Sequence, residues 1–161
     1  MNPTQKQVDK FLRESNAIEG ITDEDSLKQA KIAWEYLMKQ DKLTPHVILK
    51  THKILMLHQN LRPDERGYFR KVGVYIGNRR GLEYCLIPSF IQMQFCFETL
   101  RTNPPPDWKA LHITYEKIHP FVDGNGRTGR MFMNWTRLKR CNLPLLIIKA
   151  SERQKYYKWF K

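Results

Sequence analysis

Apolar residues recur at helical spacing along most of the chain. Val8, Phe11 and Leu12 share one face of a helix predicted over residues 4–17, which Gly20 ends. The same spacing, with polar caps and proline starts, predicts further helices over about residues 23–39, 45–57, 89–100, 107–118, 126–140 and 151–160. Helices therefore account for most of the predicted structure.

Between residues 72 and 87 the pattern changes to period two. Val72, Val74 and Ile76 alternate with other residues, a glycine-rich turn follows at 77–81, and residues 82–87 form a return strand. This predicts one β-hairpin, which needs helices to pack on because an isolated hairpin is marginally stable in water. Six to eight helices with one hairpin give a mainly α fold class. The length of 161 residues, with no repeat or linker, predicts one domain over residues 1–161.

Charge is the one unusual feature of the composition. The formal net charge is +12, which suits an anionic ligand, an acidic protein partner or nucleic acid. The basic residues are spread along the chain, and no nucleic-acid recognition motif accompanies them. A basic nucleic-acid-binding module therefore remains only as a remote alternative.

Location and assembly are weakly constrained by the sequence. No run of about 18 apolar residues predicts a membrane span, and the first residues lack an apolar signal core. Three cysteines without CxxC spacing favour a reducing compartment and argue against a zinc site. We therefore expect a cytoplasmic protein with no membrane contact. A homo-oligomer remains possible, because the edge of the predicted hairpin could pair with a second copy of the chain.

The segment His119-Pro-Phe-Val-Asp-Gly-Asn-Gly-Arg-Thr-Gly-Arg130 concentrates the candidate chemistry. If a helix begins near Gly126, its free N–H groups and dipole create an anion site. Arg127 and Arg130 would share a face of that helix and add cations. Histidine titrates near neutral pH, so His119 can take a proton from a hydroxyl. Asp123 is the one carboxylate of the segment and suits Mg2+, which accompanies triphosphates.

A glycine pattern in this segment also matches the dinucleotide fingerprint GxGxxG, from Gly124 to Gly129. That fingerprint requires a preceding strand and an acidic residue about 20 positions later, and neither is found. Walker and kinase motifs are missing as well. The remaining interpretation is a helix–loop–helix phosphate site, with Phe121 as an apolar anchor of the loop. The implied reaction is attack of a hydroxyl on phosphorus with His119 as general base.

Residues 118–130 resemble the signature HxFx[D/E]GNGRxxR of the Fic (Fic/Doc) family at every defined position. His112, the segment Gly67-Tyr-Phe-Arg70 before the hairpin, and residues 145–157 resemble other parts of the family. The resemblance covers nearly the whole chain. It implies a Fic fold, a helical bundle with a β-hairpin flap at about residues 72–87 and an active-site loop at 119–130.

Members of this family mostly transfer AMP from ATP to a Ser, Thr or Tyr hydroxyl of a target protein and release pyrophosphate. The resemblance implies that His119 is the general base and that Asp123 helps to hold Mg2+. It assigns Arg127 to the β-phosphate and Arg130 to the γ-phosphate. The hairpin would hold the target, another protein or this chain itself. The nucleotide-binding residues so implied are Gly124, Asn125, Gly126, Arg127, Thr128, Gly129, Arg130 and Tyr157.

A second resemblance lies far upstream. Ser15-Asn-Ala-Ile-Glu19-Gly20 is similar to the family's inhibitory motif [S/T]xxxE[G/N]. In such members the glutamate reaches the second arginine of the signature, here Arg130. The resemblance implies an inhibitory helix over about residues 4–20 and an autoinhibited adenylyltransferase. Two alternatives stay open, a Glu19-dependent enzyme that removes AMP and a transferase of another nucleotide.

Overall fold

A computed structural model describes residues 2–78, 81–88 and 107–161. Within these ranges the chain forms six α-helices and one two-stranded antiparallel sheet. In chain order these are α1 (Gln5–Ile18), α2 (Glu24–Met38), α3 (Pro45–Leu55), β1 (Val74–Asn78), β2 (Gly81–Cys85), α4 (Trp108–Ile118), α5 (Asn125–Lys139) and α6 (Arg153–Tyr157). The mainly α prediction is confirmed. The helix predicted over about 89–100 lies outside the described residues, as do Arg79 and Arg80 of the predicted turn.

Short polar residues begin four of the helices. Thr4 forms a capping box with Gln7 at the start of α1. Asp23, Thr44 and Asp107 accept hydrogen bonds from backbone N–H groups in the first turns of α2, α3 and α4. These caps use donors that a helix start otherwise leaves unpaired. They explain why the predicted starts agree closely with the observed ones.

The core forms where α1 to α5 meet. Phe11 of α1 packs edge-on against Trp34 of α2, with ring centroids 5.3 Å apart. Trp135 of α5 is fully buried, and its indole Nε1 donates to the Gln40 carbonyl at 3.1 Å. The helix predicted over about residues 45–57 is slightly too long, because α3 ends at Leu55, and Leu57 beyond it is 55% exposed.

None of the hairpin side chains that the structure describes belongs to this core. Val74 pairs with Cys85 and Asn78 with Gly81, so the two five-residue strands lie within the predicted range of 72–87. The exposed rings of Tyr75 and Tyr84 lie 5.0 Å apart. In the part of the chain that the structure describes, no helix is long and apolar enough to cross a membrane.

Packing at α2 can be tested with a matched pair of substitutions. Leu37→Ala should lower the free energy of unfolding by about 2–5 kcal/mol, because Leu37 is fully buried and its truncation leaves a cavity. Ile32→Ala on the exposed face of the same helix should change it by no more than about 0.5 kcal/mol. Urea unfolding monitored by circular dichroism measures both. Equal losses would contradict the observed orientation of α2.

Candidate active site

A six-residue loop, 119–124, joins α4 to α5 and holds the predicted base. His119 ends α4 in the left-handed conformation, with φ 51° and ψ 63°, and its N–H donates to the Tyr115 carbonyl at 2.9 Å. Gly124 begins α5 with φ 80°. A Cβ on Gly124 would lie 2.7 Å from the Met56 sulfur, so glycine meets both a conformational and a steric requirement there.

The loop is closed by its own side chains. The Asn125 amide accepts from the Phe121 N–H and donates to the Phe121 carbonyl, both at 2.8 Å. Phe121 is buried and stacks on the imidazole of His52, with ring centroids 3.7 Å apart. This agrees with the prediction that Phe121 anchors the loop. The Asn125 side chain is used for loop closure, which leaves its backbone N–H as the group that can face an anion.

His52 connects three segments of the fold. Its Nδ1 accepts from the Gly67 N–H at 2.9 Å, which requires the ring proton to reside on Nε2. Nε2 then donates to the Asp123 carbonyl at 2.9 Å. Burial lowers the pKa of His52 to about 4, so the ring is neutral at physiological pH. His52 is therefore a neutral histidine of fixed tautomer that supports the 119–124 loop through the Asp123 carbonyl.

The N-terminus of α5 lies where the sequence predicts an anion site. Gly124 supplies no side-chain cap, so the first-turn N–H groups and the positive end of the dipole face the loop. Gly126 carries no side chain there, and a Cβ at this position would collide with the Glu19 carboxylate. The Asp123 side chain accepts from the Gly124 N–H at 2.6 Å and is 59% exposed.

Two arginines of α5 bring buried positive charge to this end of the helix. Arg127 is 2% exposed, and its Nη2 lies 3.2 Å from the Met56 sulfur and 3.8 Å from Asp123 Oδ2. Its Nε and Nη1 are buried and have no hydrogen-bond partner in the described part of the protein. Burial also lowers the pKa of this guanidinium. Unpaired buried donors of this kind fit a phosphate ligand.

Arg130 already has an anionic partner. Its Nη2 donates to Glu19 Oε1 at 2.7 Å and to the Ser15 carbonyl at 2.8 Å, while Nε donates to the Ser15 hydroxyl at 2.9 Å. Arg130 is buried, whereas the Glu19 side chain is 35% exposed. Glu19 is the C-cap of α1, and Gly20 follows with φ 76°. The structure thus joins the two separate motifs of the sequence through one ion pair.

His119 is arranged to accept a proton. Its Nδ1 lies 3.2 Å from the Glu116 carbonyl, which can only accept, so Nδ1 carries the ring proton and Nε2 has a free lone pair. Burial lowers the pKa of His119, and the charge of Arg70 adds to the effect, while the Glu116 carbonyl, Glu19 and Asp123 oppose it. The neutral form, which is the base, therefore predominates near pH 7.

A buried polar cluster lies behind Arg130. The His112 Nε2 is 2.7 Å from the Tyr156 hydroxyl, which lies 3.4 Å from Arg130 Nη1. Glu116 Oε1 lies 3.9 Å from His112 Nε2, and burial raises the pKa of Glu116 to about 8. Burial likewise lowers the pKa of His112 to about 3. Both groups are therefore mostly uncharged at pH 7, so this cluster adds little charge to the site.

Three of the predicted nucleotide-binding residues, Thr128, Gly129 and Tyr157, contact other residues of the protein in this structure. The Thr128 hydroxyl donates to the Gly124 carbonyl at 2.8 Å and lies 2.8 Å from the Tyr115 hydroxyl. A Cβ on Gly129 would collide with Glu116, so Gly129 allows α4 and α5 to approach closely. Tyr157 is half-buried beside Tyr156. Their roles toward a nucleotide stay predictions.

The supporting residues His52, Met56 and Glu116 were not identified from the sequence. None belongs to a recognisable motif, and each matters because of what the fold places next to it. Arg70 had a signal, since it ends the Gly67–Arg70 segment that resembles the family. The fold and the geometry together define a class of site: an uncapped helix N-terminus with two buried arginines and a neutral histidine at its rim.

The sequence matches the Fic/DOC family over residues 42–136, which is more than half of the chain. The chain belongs to the Fic/DOC family. It is 32% identical to the protein adenylyltransferase Fic of Drosophila erecta over 98% of this chain and 33% of that protein. The same-named protein of Drosophila melanogaster is also 32% identical, over 98% of this chain and 34% of that protein. The chain thus spans about a third of the length of these curated relatives.

Solved structures share the fold. A Fic domain containing signaling protein from Bacteroides thetaiotaomicron superposes with a TM-score of 0.77 at 19% identity, covering 95% of this chain and 70% of that one. Fic-1 from C. elegans gives a TM-score of 0.73 at 20% identity, covering 96% of this chain and 55% of that one. The helices that carry the two motifs therefore belong to a Fic fold.

The neutral state of His52 predicts a pH dependence of stability. An unfolded histidine has a pKa near 6.5, so between about pH 6.5 and 4 the unfolded chain binds a proton that the folded chain does not. The contribution of neutral His52 to the free energy of unfolding is fully present above pH 6.5. It is lost as the pH falls, by up to about 1.4 kcal/mol per pH unit. Urea unfolding from pH 7.5 to 4.5 should show a steeper loss in wild type than in His52→Gln. Parallel curves would show that His52 is not buried in its neutral form.

Proposed function

We propose that this protein is an adenylyltransferase that transfers AMP from ATP to a hydroxyl side chain of a target protein and releases pyrophosphate. The observation that carries the proposal is the combination at one loop of a neutral His119 with an uncapped helix N-terminus and the buried Arg127. Such a site can bind a phosphate chain and deprotonate a nearby alcohol. The names of the relatives support the same activity.

The roles of the protein groups follow from this reaction. His119 Nε2 takes the proton of the target hydroxyl as its oxygen attacks the α-phosphorus, and the bond to pyrophosphate breaks. First-turn N–H groups of α5 and the free Nε and Nη1 of Arg127 stabilise the charge on the phosphates. Asp123 fits Mg2+, since its carboxylate is exposed at the loop and this ion needs one or two carboxylates besides phosphate oxygens. When bound, Mg2+ would neutralise phosphate charge.

Glu19 makes the described state an inhibited one in this proposal. A γ-phosphate on Arg130 would have to replace the Glu19 carboxylate, which already accepts from Nη2 at 2.7 Å. ATP bound beside that pair would meet two negative charges at one guanidinium, which disfavours a productive position of the phosphates. Displacement of Glu19 from Arg130 would therefore be required for activity.

The hairpin is the proposed binding element for the target. Within the described residues its sheet has two strands, so each strand leaves an edge to which an extended target segment can add. The net charge of +12 favours an acidic target segment. The target segment can also belong to this chain itself. The odd cysteine count supports action in a reducing compartment such as the cytoplasm.

Loss of the Glu19 carboxylate should activate transfer. Glu19→Ala should increase AMP incorporation from labelled ATP with Mg2+ by about 10- to 100-fold, since a charge-assisted hydrogen bond contributes about 1.5–3 kcal/mol. Glu35→Ala, at an exposed position of α2, is the matched control and should leave incorporation unchanged. Labelled protein in a lysate, or the chain itself, is quantified after electrophoresis and identified by mass spectrometry. The absence of label in both variants would refute the transfer proposal.

Loss of the base should abolish the activity of the released enzyme. His119→Ala in the Glu19→Ala background should reduce incorporation by about 10²- to 10⁴-fold, the usual contribution of a general base. The melting temperature of the double variant should remain close to that of its parent, because His119 is only partly buried and is not part of the hydrophobic core cluster. Retained incorporation would exclude His119 as the base.

AMP removal is the second candidate, because the half-exposed Glu19 carboxylate lies inside the site and can orient a water molecule. The two activities respond to Glu19 with opposite sign. Incubation of an AMP-modified target with the wild-type protein releases AMP if the protein is a hydrolase, and Glu19→Ala then abolishes the release. A transferase gains activity with the same substitution.

A transferase of another nucleotide is recognised by repeating the assay with labelled UTP, GTP and CTP.

A further inference from the structure

Arg70 is a buried cation whose contacts are not explained by nucleotide binding. Its Nε donates to the His119 carbonyl at 2.6 Å, and its Nη2 lies 3.3 Å from the Ile118 carbonyl. Its Nη1 donates to the Val72 carbonyl at 2.8 Å, and Nη2 also donates to the Leu86 carbonyl at 2.7 Å. The Arg70 side chain is almost completely buried among these groups.

These carbonyls belong to two parts of the proposed site. Val72 lies two residues before β1, and Leu86 directly follows β2. Arg70 therefore contacts the chain on both sides of the open end of the hairpin. Ile118 is the last residue of α4, and His119 is the proposed base. The backbone N–H of Arg70 also donates to the Pro120 carbonyl at 2.9 Å, which ties the arginine itself to the loop. One planar group thus joins the hairpin to the base.

We propose that Arg70 is a positioning residue that fixes the hairpin, and the target hydroxyl held along it, at the distance from His119 that proton transfer requires. This inference depends on the proposed function. A base must approach its hydroxyl to about 2.6–3.2 Å. A displacement of about 1 Å can reduce the rate by about 100-fold. None of the hairpin side chains that the structure describes belongs to the hydrophobic core cluster, and Arg70 supplies contacts at the base of the hairpin.

The chemistry of arginine suits this role better than that of lysine. A guanidinium presents several donors in a rigid plane and can bridge carbonyls on two sides, whereas an ammonium is a point charge on a flexible chain. Arg70→Lys therefore keeps the charge near His119 but loses part of the bridge. Arg70→Gln loses both. The two substitutions separate the geometric role of Arg70 from its electrostatic role.

A simpler role is capping of α4, whose last carbonyls need donors. Such a role would affect stability without affecting target binding or the base. The electrostatic surroundings of His119 offer a second distinction. Arg70 lowers its pKa, while the Glu116 carbonyl on α4, Glu19 at the end of α1 and Asp123 in the loop act in the opposite direction. Removal of the Arg70 charge should therefore raise the pKa of His119.

The first experiment measures transfer, in the Glu19→Ala background, to the target that the labelling experiment identifies. Arg70→Lys should reduce kcat/KM for the target by about 100-fold and leave the acid limb of the pH profile in place. Arg70→Gln should reduce it similarly and move the acid limb to higher pH, since a histidine with a higher pKa is protonated at higher pH. Arg62→Lys, at an arginine with a 69% exposed side chain, is the matched control and should change kcat/KM by less than twofold. Values for Arg70→Lys within about threefold of the parent would overturn the proposal.

The second experiment does not depend on activity. In the otherwise wild-type chain, hydrogen exchange of the hairpin amides, residues 74–78 and 81–85, should be at least tenfold faster in Arg70→Lys than in Arg62→Lys, with no change in α2. NMR titration should show a higher pKa of His119 in Arg70→Gln than in wild type. Unchanged hairpin exchange would overturn the positioning role even if the protein proves to have another activity. A lower melting temperature alone, with neither effect, would leave only the capping role and would also overturn it.

Discussion

The site depends on one constraint: the buried guanidinium groups of Arg127 and Arg130 need anions beside them. Arg127 and Arg130 lie at the N-terminal end of α5, where the dipole is already positive, and both are almost completely buried. A buried cation without a partner is costly, and positive charge at a helix start adds to that cost. Glu19 supplies the anion for Arg130, whereas Arg127 has buried donors without partners among the described residues. The site therefore favours further negative charge, which agrees with the proposed phosphate ligand.

Neutral groups maintain the geometry around this charged site. The reciprocal amide bonds between Asn125 and Phe121 close the loop, and the uncharged His52 holds the Asp123 carbonyl. Because these contacts involve uncharged groups, they hold the loop without changing its potential. Arg70 is the exception, since it adds charge beside His119 as well as hydrogen bonds. In the proposed mechanism, one side chain thus contributes both to the orientation of His119 and to its pKa.

The proposed inhibitor is also part of the core. α1 buries Phe11 and Leu12 against the other helices, so removal of the whole helix would expose a large apolar surface. Glu19 lies at the end of that helix, and Gly20 follows with φ 76° and open space around the position of a Cβ. Release of Arg130 can therefore proceed by movement of the Glu19 side chain and the last turn. Relief of the proposed inhibition would then leave the buried face of α1 in place.

Periodicity, caps and motif spacing by themselves determined the mainly α class, most helix bounds and the hairpin, and they predicted the chemistry of residues 119–130, because these signals are local. Resemblance to a family linked Glu19 to Arg130, and the tertiary structure brought the two together at 2.7 Å across 111 positions of sequence. Only the fold decided the supporting contacts of His52, Met56, Glu116 and Arg70. Their roles arise from burial and from neighbours distant in sequence, which set tautomer, pKa and position, and no spacing along the chain encodes them.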